Sequence, residues 1–345
     1  MSLILQKIGA IPVQALRWLG AQGTRTIAAL VFIGIAVPPI GRFLRPFVSE
    51  AIFLLLCISF VRVDTAALRS YLRRPGIVVA ATAWTTLGVP LLAGLLSTAT
   101  GFDVGSPDLF LAMMLQVVAS PMVAAPAFAA LMGLDSTLIL VTLVTGTLVI
   151  PFTAPLFAYE FFGNALTLSP FGLGLKLVAI LAGSLLVAGA LRWTVGAPAI
   201  QRNKSLIDGM NVLVLFVFVT AVMTTVASDF WANPVRMIEL TMFTFAVSFA
   251  LIGVTTLIFW KFGRERAFSL GMMVSQRNMG IMLAATDGAL PGMTWLYFAL
   301  SQFPLYLLPQ LLKPIVGRVS PPQQAGTKSP GPRGAAIAGA DRRPE

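Results

Sequence analysis

The residues of this sequence best suited to chemistry form a short polar run inside an apolar stretch. Ser275, Gln276, Arg277 and Asn278 interrupt the segment GMMVSQRNMGIMLAA at 271–285. Arg277 is the only basic residue deep inside a long apolar block, and no acidic residue lies clearly inside one. Its guanidinium must therefore face water, backbone carbonyls or an anionic ligand, and its fork of donors suits a carboxylate or a sulfate.

A second apolar block is interrupted by prolines rather than by charge. Pro121 and Pro126 lie in the segment QVVASPMVAAPAFAA at 116–130. Each proline removes a backbone donor and clashes with the preceding turn, so we predict an opened helix here, with simple proline kinks as the alternative. We add to the candidate binding residues both prolines and the polar residues near this break: Gln116, Ser120, Thr142 and Thr145.

The composition places both segments in a membrane protein. Hydrophobic residues make up 57% of the chain and charged residues 11%, whereas soluble proteins carry about a quarter charged residues. The apolar residues form blocks of roughly 17–25 positions, the length of helix that crosses a hydrocarbon core of about 30 Å. Strand-like alternation is absent, and backbone groups in lipid must be satisfied internally, so we predict an all-α fold.

Ten membrane spans are predicted within a domain at 25–319. Their ranges are 25–41, 47–63, 77–98, 109–133, 136–159, 171–191, 206–228, 237–260, 265–286 and 291–316. Because each half has an odd number of spans, the repeats at 25–162 and 171–316 must be inverted. The two interrupted segments take the fourth position of each half, and such paired interruptions are the best sequence pointer to a transporter's binding site.

The basic residues indicate how the chain is oriented. With the N-terminus inside, 19 of the 24 Lys and Arg residues fall on the cytoplasmic side and four fall outside. Basic residues in short loops favour the cytoplasm. We therefore predict a multi-pass protein of the cell membrane, in a bacterial inner membrane, with both termini cytoplasmic.

The two ends of the chain differ from the spans. Residues 1–24 are predicted to be an N-terminal amphipathic or interfacial segment, because the polar residues of the first block fall on one arc of a helical wheel. A removed signal peptide is the less favoured alternative. Residues 320–345 are rich in Pro, Gly, Ala and charge, so we predict a disordered cytoplasmic tail.

Several other chemistries lack their usual residues. The chain has no histidine and a single cysteine, Cys57, inside an apolar run. We therefore expect neither an enzyme nor a bound metal ion or other cofactor. The net charge of +11 is spread along short loops and both ends, so we expect no nucleic-acid partner. The expected partners are the lipid bilayer and a small organic anion, and a coupling cation stays open.

The sequence resembles the bile acid:sodium symporter family, to which the arsenite efflux permeases are distantly related. The resemblance rests on the ten-span plan and on three segments: SPMVAAPAFAALMGLD at 120–135, IPFTAP at 150–155 and SQRNMG at 275–280. It implies a panel bundle made from the first two spans of each half and a core bundle made from the other three. The broken fourth and ninth helices would cross in the core, and movement of the bundles would alternate access to the site.

The residues associated with sodium in this family are replaced here. The polar pair on the opened fourth helix of sodium-coupled members aligns with Ala125 and Pro126. The carboxylate on the ninth helix aligns with Met273, and the hydroxyls on the fifth align with Ile139 and Leu143. Hard cations need several oxygen ligands, so we expect little sodium coupling. The fourth span also lacks the reactive cysteine that the resemblance would require of an arsenite permease.

The sequence therefore predicts a secondary transporter of small organic anions that works by alternating access. A channel or sensor on the same fold, or an efflux permease for another substrate, is the alternative. Arg277 would supply the main attraction for the anion, with Ser275, Gln276 and Asn278 as hydrogen-bonding neighbours. In a second role, Arg277 would stand in for the missing cation and donate to carbonyls exposed near the broken fourth helix.

Overall fold

The computed structural model describes residues 14–19, 32–63, 75–162, 169–286 and 290–319. Within these ranges every regular element is a helix and no β-strand forms, which confirms the predicted all-α class. The predicted tail at 320–345 and most of the predicted N-terminal segment at 1–24 lie outside the described residues.

The helices follow one another with few connecting residues. The helices before residue 163 are α1 (Pro38–Leu44), α2 (Val48–Val61), α3 (Pro75–Ala83), α4 (Val89–Thr100), α5 (Phe102–Gly105), α6 (Pro107–Val118), α7 (Ala125–Met132) and α8 (Ser136–Phe157). Those after residue 168 are α9 (Pro170–Val195), α10 (Ala197–Arg202), α11 (Lys204–Val222), α12 (Val226–Ala232), α13 (Pro234–Ile258), α14 (Arg264–Ser275), α15 (Met279–Ala285) and α16 (Gly292–Val319). Short helical turns also occur at 14–19 and 32–36.

Six continuous helical stretches of the described chain are long and apolar enough to cross a membrane. They are Pro38–Val61, Pro75–Thr100, Ser136–Phe162, Pro170–Val195, Lys204–Ala232 and Pro234–Ile258. The prediction of ten spans is not confirmed by this number. Part of the first predicted span lies outside the described residues, the fourth and ninth are each divided into shorter helices, and α16 carries many polar residues.

Large apolar side chains cover the outside of these helices. Phe171 in α9 is 81% exposed and Phe152 in α8 is 75% exposed. Trp193 and Trp231, at the ends of two long helices, are 87% and 81% exposed. Aromatic residues at helix ends are typical of the membrane–water interface, and exposed apolar helix faces are stable against lipid tails. The chain is therefore a helical membrane protein.

Two parts of the chain that are distant in sequence, near residues 16 and 62, both contact the start of α11. Arg62, just after α2, forms a 2.7 Å ion pair with Asp208. The backbone of Leu16 approaches Gly209 so closely that a Cβ atom there would overlap it. Residues 16 and 62 therefore lie at the same end of α11.

The segment between them reaches the other end of α11. A Cβ atom on Gly41 in α1 would lie 2.5 Å from the carbonyl oxygen of Thr220. Residues 41 and 62 therefore lie at opposite ends of α11. The stretch Pro38–Val61, which comprises α1 and α2, passes through a 3-10 turn at Arg45–Phe47.

We divide the helices into two groups, named after the predicted panel and core bundles. In the panel group, α2 packs against α9 and α11, and α1 packs against α11. In the core group, α13 packs against α14 and α16, α8 packs against α3, α7 and α14, and α6 packs against α4 and α16. The groups meet where α8 contacts α9 and where α15 contacts α2 and α9. Gly174 permits the first of these approaches, because a Cβ atom there would lie 2.8 Å from the ring of Pro155.

Candidate functional site

The first of two interrupted helices breaks where the sequence predicts. Helix α6 ends at Val118 and the chain resumes as α7 at Ala125. Pro121 lies within this break, and Pro126 occupies the first turn of α7, where the missing N–H of proline costs no helical hydrogen bond. The helix is opened rather than kinked, because residues 119–124 all leave it.

The second interruption needs no proline. Helix α14 ends at Ser275, α15 begins at Met279, and Gln276, Arg277 and Asn278 lie between them. The backbone of Gln276 leaves the helical region, with φ −93° and ψ 87°. This break coincides with the polar run of the sequence, so both predicted interruptions are confirmed.

The two breaks cross and bond to each other through their backbones. Pro121 and Arg277 face each other as an isolated antiparallel bridge. Two backbone hydrogen bonds of 2.7 Å hold the bridge together: Met122 N–H to the Gln276 carbonyl, and Asn278 N–H to the Ser120 carbonyl. Backbone groups freed by breaking a helix are costly in lipid. Each break thus provides hydrogen-bond partners for some of the backbone groups freed at the other. We call this contact between the two breaks the crossing.

The guanidinium of Arg277 is buried at the crossing and donates to backbone carbonyls. The residue is 3% exposed. Its Nε donates to the Val274 carbonyl at 2.7 Å, and its Nη1 donates to the carbonyls of Ala119 at 3.0 Å and Thr85 at 3.2 Å. Its Nη2 is buried and makes no hydrogen bond to the described residues. Arg277 is also the one charged side chain among the buried residues that the structure describes.

This geometry differs from the predicted fork. A two-nitrogen grip on a carboxylate needs a free N–H on each of two neighbouring nitrogens. In Arg277, Nε and Nη1 are engaged with carbonyls, so an anion oxygen can bond to Nη2 alone. Of the two roles left open by the sequence, donation to carbonyls near the broken fourth helix is the one present in the structure.

The Thr85 carbonyl comes from a part of the chain that sequence reasoning missed. It lies in a π-helical turn, Trp84–Gly88, between α3 and α4. Such turns are rare and occur frequently at functional sites. The segment TAWTT at 82–86 was a signal, because three threonines and a tryptophan interrupt an otherwise apolar span. Here Thr82 and Thr145 hydroxyls bond at 2.6 Å, and the Trp84 indole donates to Thr255 at 3.0 Å.

Several buried polar side-chain atoms at or near the crossing have no hydrogen-bond partner among the described residues. They are Nη2 of Arg277, Nε2 of Gln276, Oγ of Ser120 and Oγ1 of Thr142. Thr142 belongs to the crossing's surroundings because Gly146, one turn along α8, lies against Pro121. Most buried polar atoms in proteins are bonded to protein or water. This set therefore marks a place suited to water or a polar ligand.

Other predicted binding residues use their polar atoms elsewhere. The Ser275 hydroxyl donates to the Met272 carbonyl at 2.8 Å, within its own helix. The Thr145 hydroxyl also bonds locally, to the Val141 carbonyl at 3.0 Å. Gln116 accepts a short hydrogen bond from the hydroxyl of Tyr297 in α16. The side chains of Ser275, Thr145 and Gln116 therefore offer less to a ligand than the sequence suggests.

Of the five positions that align with sodium-binding residues in the sequence analysis, all but the half-buried Pro126 are packed in the hydrophobic core. Ala125, Ile139, Leu143 and Met273 are each at most 2% exposed. No group of three or more His, Cys, Asp or Glu residues with the geometry to hold a metal ion occurs in the part of the chain that the structure describes. That transport is little coupled to sodium stays a prediction.

A cavity of about 450 Å³ opens at one end of the core group. Asp108 at the start of α6, Arg236 and Glu239 in α13, and Met293 in α16 are among its lining residues. Phe243, also in the lining, packs edge-on against Tyr297, with ring centroids 6.1 Å apart. Because Pro107 and Asp108 at the start of α6 line the cavity, it lies at the end of α6 that faces away from the crossing.

No known family model matches this chain, and no curated protein matches it significantly. The case for a function therefore rests on the geometry of the crossing.

Proposed function

We propose that this protein is a secondary transporter of small organic anions in which the panel and core groups move relative to each other. The observation that carries the proposal is the crossing of two interrupted helices beside buried polar atoms without partners. Breaking a helix inside lipid is unfavourable unless the freed groups are used. Transporters use such freed groups and half-helix ends to bind substrate and ions near the membrane midplane.

Contacts between helices support two inverted repeats of five spans each, and hence ten spans. The proposed equivalent pairs are α1 with α9, α2 with α11, α3 and α4 with α13, α6 and α7 with α14 and α15, and α8 with α16. Under this pairing, the contact of α2 with α9 is matched by that of α11 with α1. Likewise α3 with α8 is matched by α13 with α16, and α6 with α16 by α14 with α8. A two-fold relation between the halves would produce such matched contacts.

The position of the crossing supports alternating access. The crossing belongs to the core group, and α15, which begins there, meets α2 of the panel group. A Cβ atom on Gly280 would lie 3.4 Å from the side chain of Ile52, so the two groups touch closely beside the second break. A shift of the core group along the panel group would open the crossing first to one side of the membrane and then to the other.

The polar atoms at the crossing favour an anion. Nη2 of Arg277 and Nε2 of Gln276 are donors, and the Ser120 hydroxyl can donate as well. Asn278, half-buried in the second break, offers a further amide. No carboxylate is found among the buried side chains that the structure describes. A carboxylate or sulfonate oxygen bonded to Nη2 and flanked by neutral donors is the substrate group that this arrangement fits best.

The predicted orientation in the cell membrane is supported by where the ends of the helices meet. Asp108, Arg236 and Glu239 are predicted to lie outside, and all three line one cavity. Residues 16, 62 and 208 are predicted to lie inside, and they meet at the start of α11. This grouping of helix ends supports the proposed topology, in which both termini are cytoplasmic.

The proposal is tested by uptake into liposomes that contain the purified protein. A panel of radiolabelled carboxylates and sulfonates should include at least one whose uptake saturates and is inhibited by an excess of the unlabelled compound. Neutral analogues of the same size should not compete. The same compound should raise the melting temperature of the detergent-purified protein, because a ligand that binds the folded state stabilises it.

A channel would give a different result. Its flux would rise in proportion to concentration, without saturation or competition. That outcome, or a melting temperature that no anion of the panel changes, would overturn the transporter proposal in favour of a channel or a sensor.

A further inference from the structure

We propose that Arg277 is a permanently attached cation that occupies the place of a dissociable coupling ion, so the transport cycle needs no alkali cation. This inference rests on the proposed function, but its structural part is testable without any substrate. It assigns Arg277 a positioning role at the crossing in addition to the hydrogen bonds that Nη2 can donate to a ligand.

The carbonyls that surround the guanidinium come from helix ends and an irregular helical turn, which are the backbone groups that form cation sites in transporters. The Ala119 carbonyl follows the last residue of α6, and the Val274 carbonyl lies in the last turn of α14. The Thr85 carbonyl belongs to a π-helical turn of a third segment. In transporters with interrupted helices, freed backbone carbonyls and helix C-terminal ends coordinate the coupling cation. In this protein the carbonyls of the same origin accept hydrogen bonds from Nε and Nη1 of Arg277.

The helix dipoles explain how a single positive charge is stabilised there without a carboxylate. The C-terminal end of a helix carries about half a negative elementary charge. The C-terminal ends of α6 and α14 both lie beside the guanidinium, which donates to the carbonyls of Ala119 and Val274. The two ends together offset roughly one positive charge. A free cation entering beside Arg277 would meet repulsion, and the three carbonyls there already accept hydrogen bonds from the guanidinium.

The attachment of the charge makes it a fixed part of the core group. All three accepting carbonyls belong to core segments, and the backbone of Arg277 is itself paired with Pro121. The charge would therefore travel with the core group in both directions, whether or not substrate is bound. A carrier of this kind equilibrates or exchanges its anion, and a sodium gradient adds no driving force.

Chemical rescue tests this assignment. Arg277→Ala removes the guanidinium and leaves its three carbonyl partners around the vacated volume. We expect a lower melting temperature in choline chloride, and recovery of most of the loss on addition of methylguanidinium chloride. The matched control is Arg192→Ala. Nη1 of Arg192 also donates to two carbonyls, those of Val61 and Val63, but it does so at a helix end where water can replace it. Methylguanidinium should not change the melting temperature of this variant.

A second experiment uses the wild-type protein, so its result does not depend on whether a variant folds. When sodium replaces choline, the rate of anion uptake should change by less than about twofold. The melting temperature should show no resolvable shift. In Arg277→Ala, uptake should fall by about tenfold or more and recover with methylguanidinium.

Either of two results would overturn the inference. One is a wild-type protein whose uptake or melting temperature requires sodium. The other is an Arg277→Ala protein that is as stable as the wild type in choline and indifferent to methylguanidinium. A failure of the proposed function looks different, because the melting-temperature rescue would then persist although no anion is transported.

Discussion

Arg277 and Arg192 make nearly the same contacts in two different regions of the molecule. Each uses Nη1 to donate to two backbone carbonyls, at 3.0 and 3.2 Å for Arg277 and at 2.7 and 2.9 Å for Arg192. Arg192 is only partly buried and ties the end of α9 to the residues that close α2. Arg277 is 3% exposed and lies between two broken helices.

The two arginines make similar hydrogen bonds, so a difference in their importance must come from their surroundings. At the end of α2, water can bond to any carbonyl that loses its arginine, so the hydrogen bonds are replaceable. At the crossing the guanidinium is 3% exposed, so bulk water has little access to the carbonyls that it covers. The same guanidinium chemistry is therefore expected to be minor in one region and essential in the other.

The largest effect is expected for Arg277→Met. The substitution leaves three buried carbonyls without a donor, and each costs about 1–3 kcal/mol. We expect a marked fall in the melting temperature of the detergent-purified protein and the loss of saturable uptake. Arg192→Met, the control, should cost about 1 kcal/mol or less and leave uptake unchanged. Equal losses in the two variants would show that the crossing is no more dependent on its arginine than a helix end is.

A smaller effect is expected where α16 meets α6. Tyr297→Phe removes the donor to Gln116, which is 4% exposed, and an unpaired buried amide oxygen costs about 1–3 kcal/mol. The matched control is Tyr306→Phe, since the Tyr306 hydroxyl is buried without a partner among the described residues and its removal should cost little. Thermal unfolding of both variants checks this. A Tyr306→Phe protein as unstable as Tyr297→Phe would show that the loss does not come from the hydrogen bond to Gln116.

The smallest effect on stability is expected for Ser120→Ala. Its hydroxyl is buried without a partner, so the variant should be as stable as the wild type or slightly more stable. Anion affinity should fall by roughly fivefold to tenfold, the worth of one hydrogen bond. Ser184→Ala is the control, because the Ser184 hydroxyl is fully buried in α9 and bonds to the Leu181 carbonyl. An affinity loss in the Ser184 variant but not in the Ser120 variant would place the ligand away from the crossing.

The positions of the two breaks could be predicted because each has a local cause. Pro121 lacks the donor that a continuing helix needs, and Arg277 is too costly to leave facing lipid. The partners of Arg277 could not be predicted in the same way. Thr85 lies 192 residues away in the sequence, in a span whose π-helical turn depends on packing. A carbonyl carries no side-chain signature, so the sequence cannot show which one will face a guanidinium.

Some of the predicted polar side chains bond within their own helix and others do not, and the local backbone explains the difference. Ser275 and Thr145 bond to carbonyls three or four positions earlier in their own helices, which serine and threonine do readily in helix interiors. Ser120 and Gln276 lie where the helices are open, and no such local carbonyl satisfies Ser120 Oγ or Gln276 Nε2. Knowing that a residue is polar and lies within a span is therefore not enough. The local backbone decides whether its side chain remains free for a ligand.

Alternating access at the crossing is tested most directly by a single cysteine placed there. Asn278→Cys, in a Cys57→Ala background, puts a half-buried thiol in the second break and removes the one native cysteine, which is buried in α2. A membrane-impermeant maleimide should label this thiol when added to either side of the membrane, and a saturating transported anion should slow the labelling from both sides. Labelling from one side alone, with the other side unreactive under all conditions, would contradict alternating access at this site.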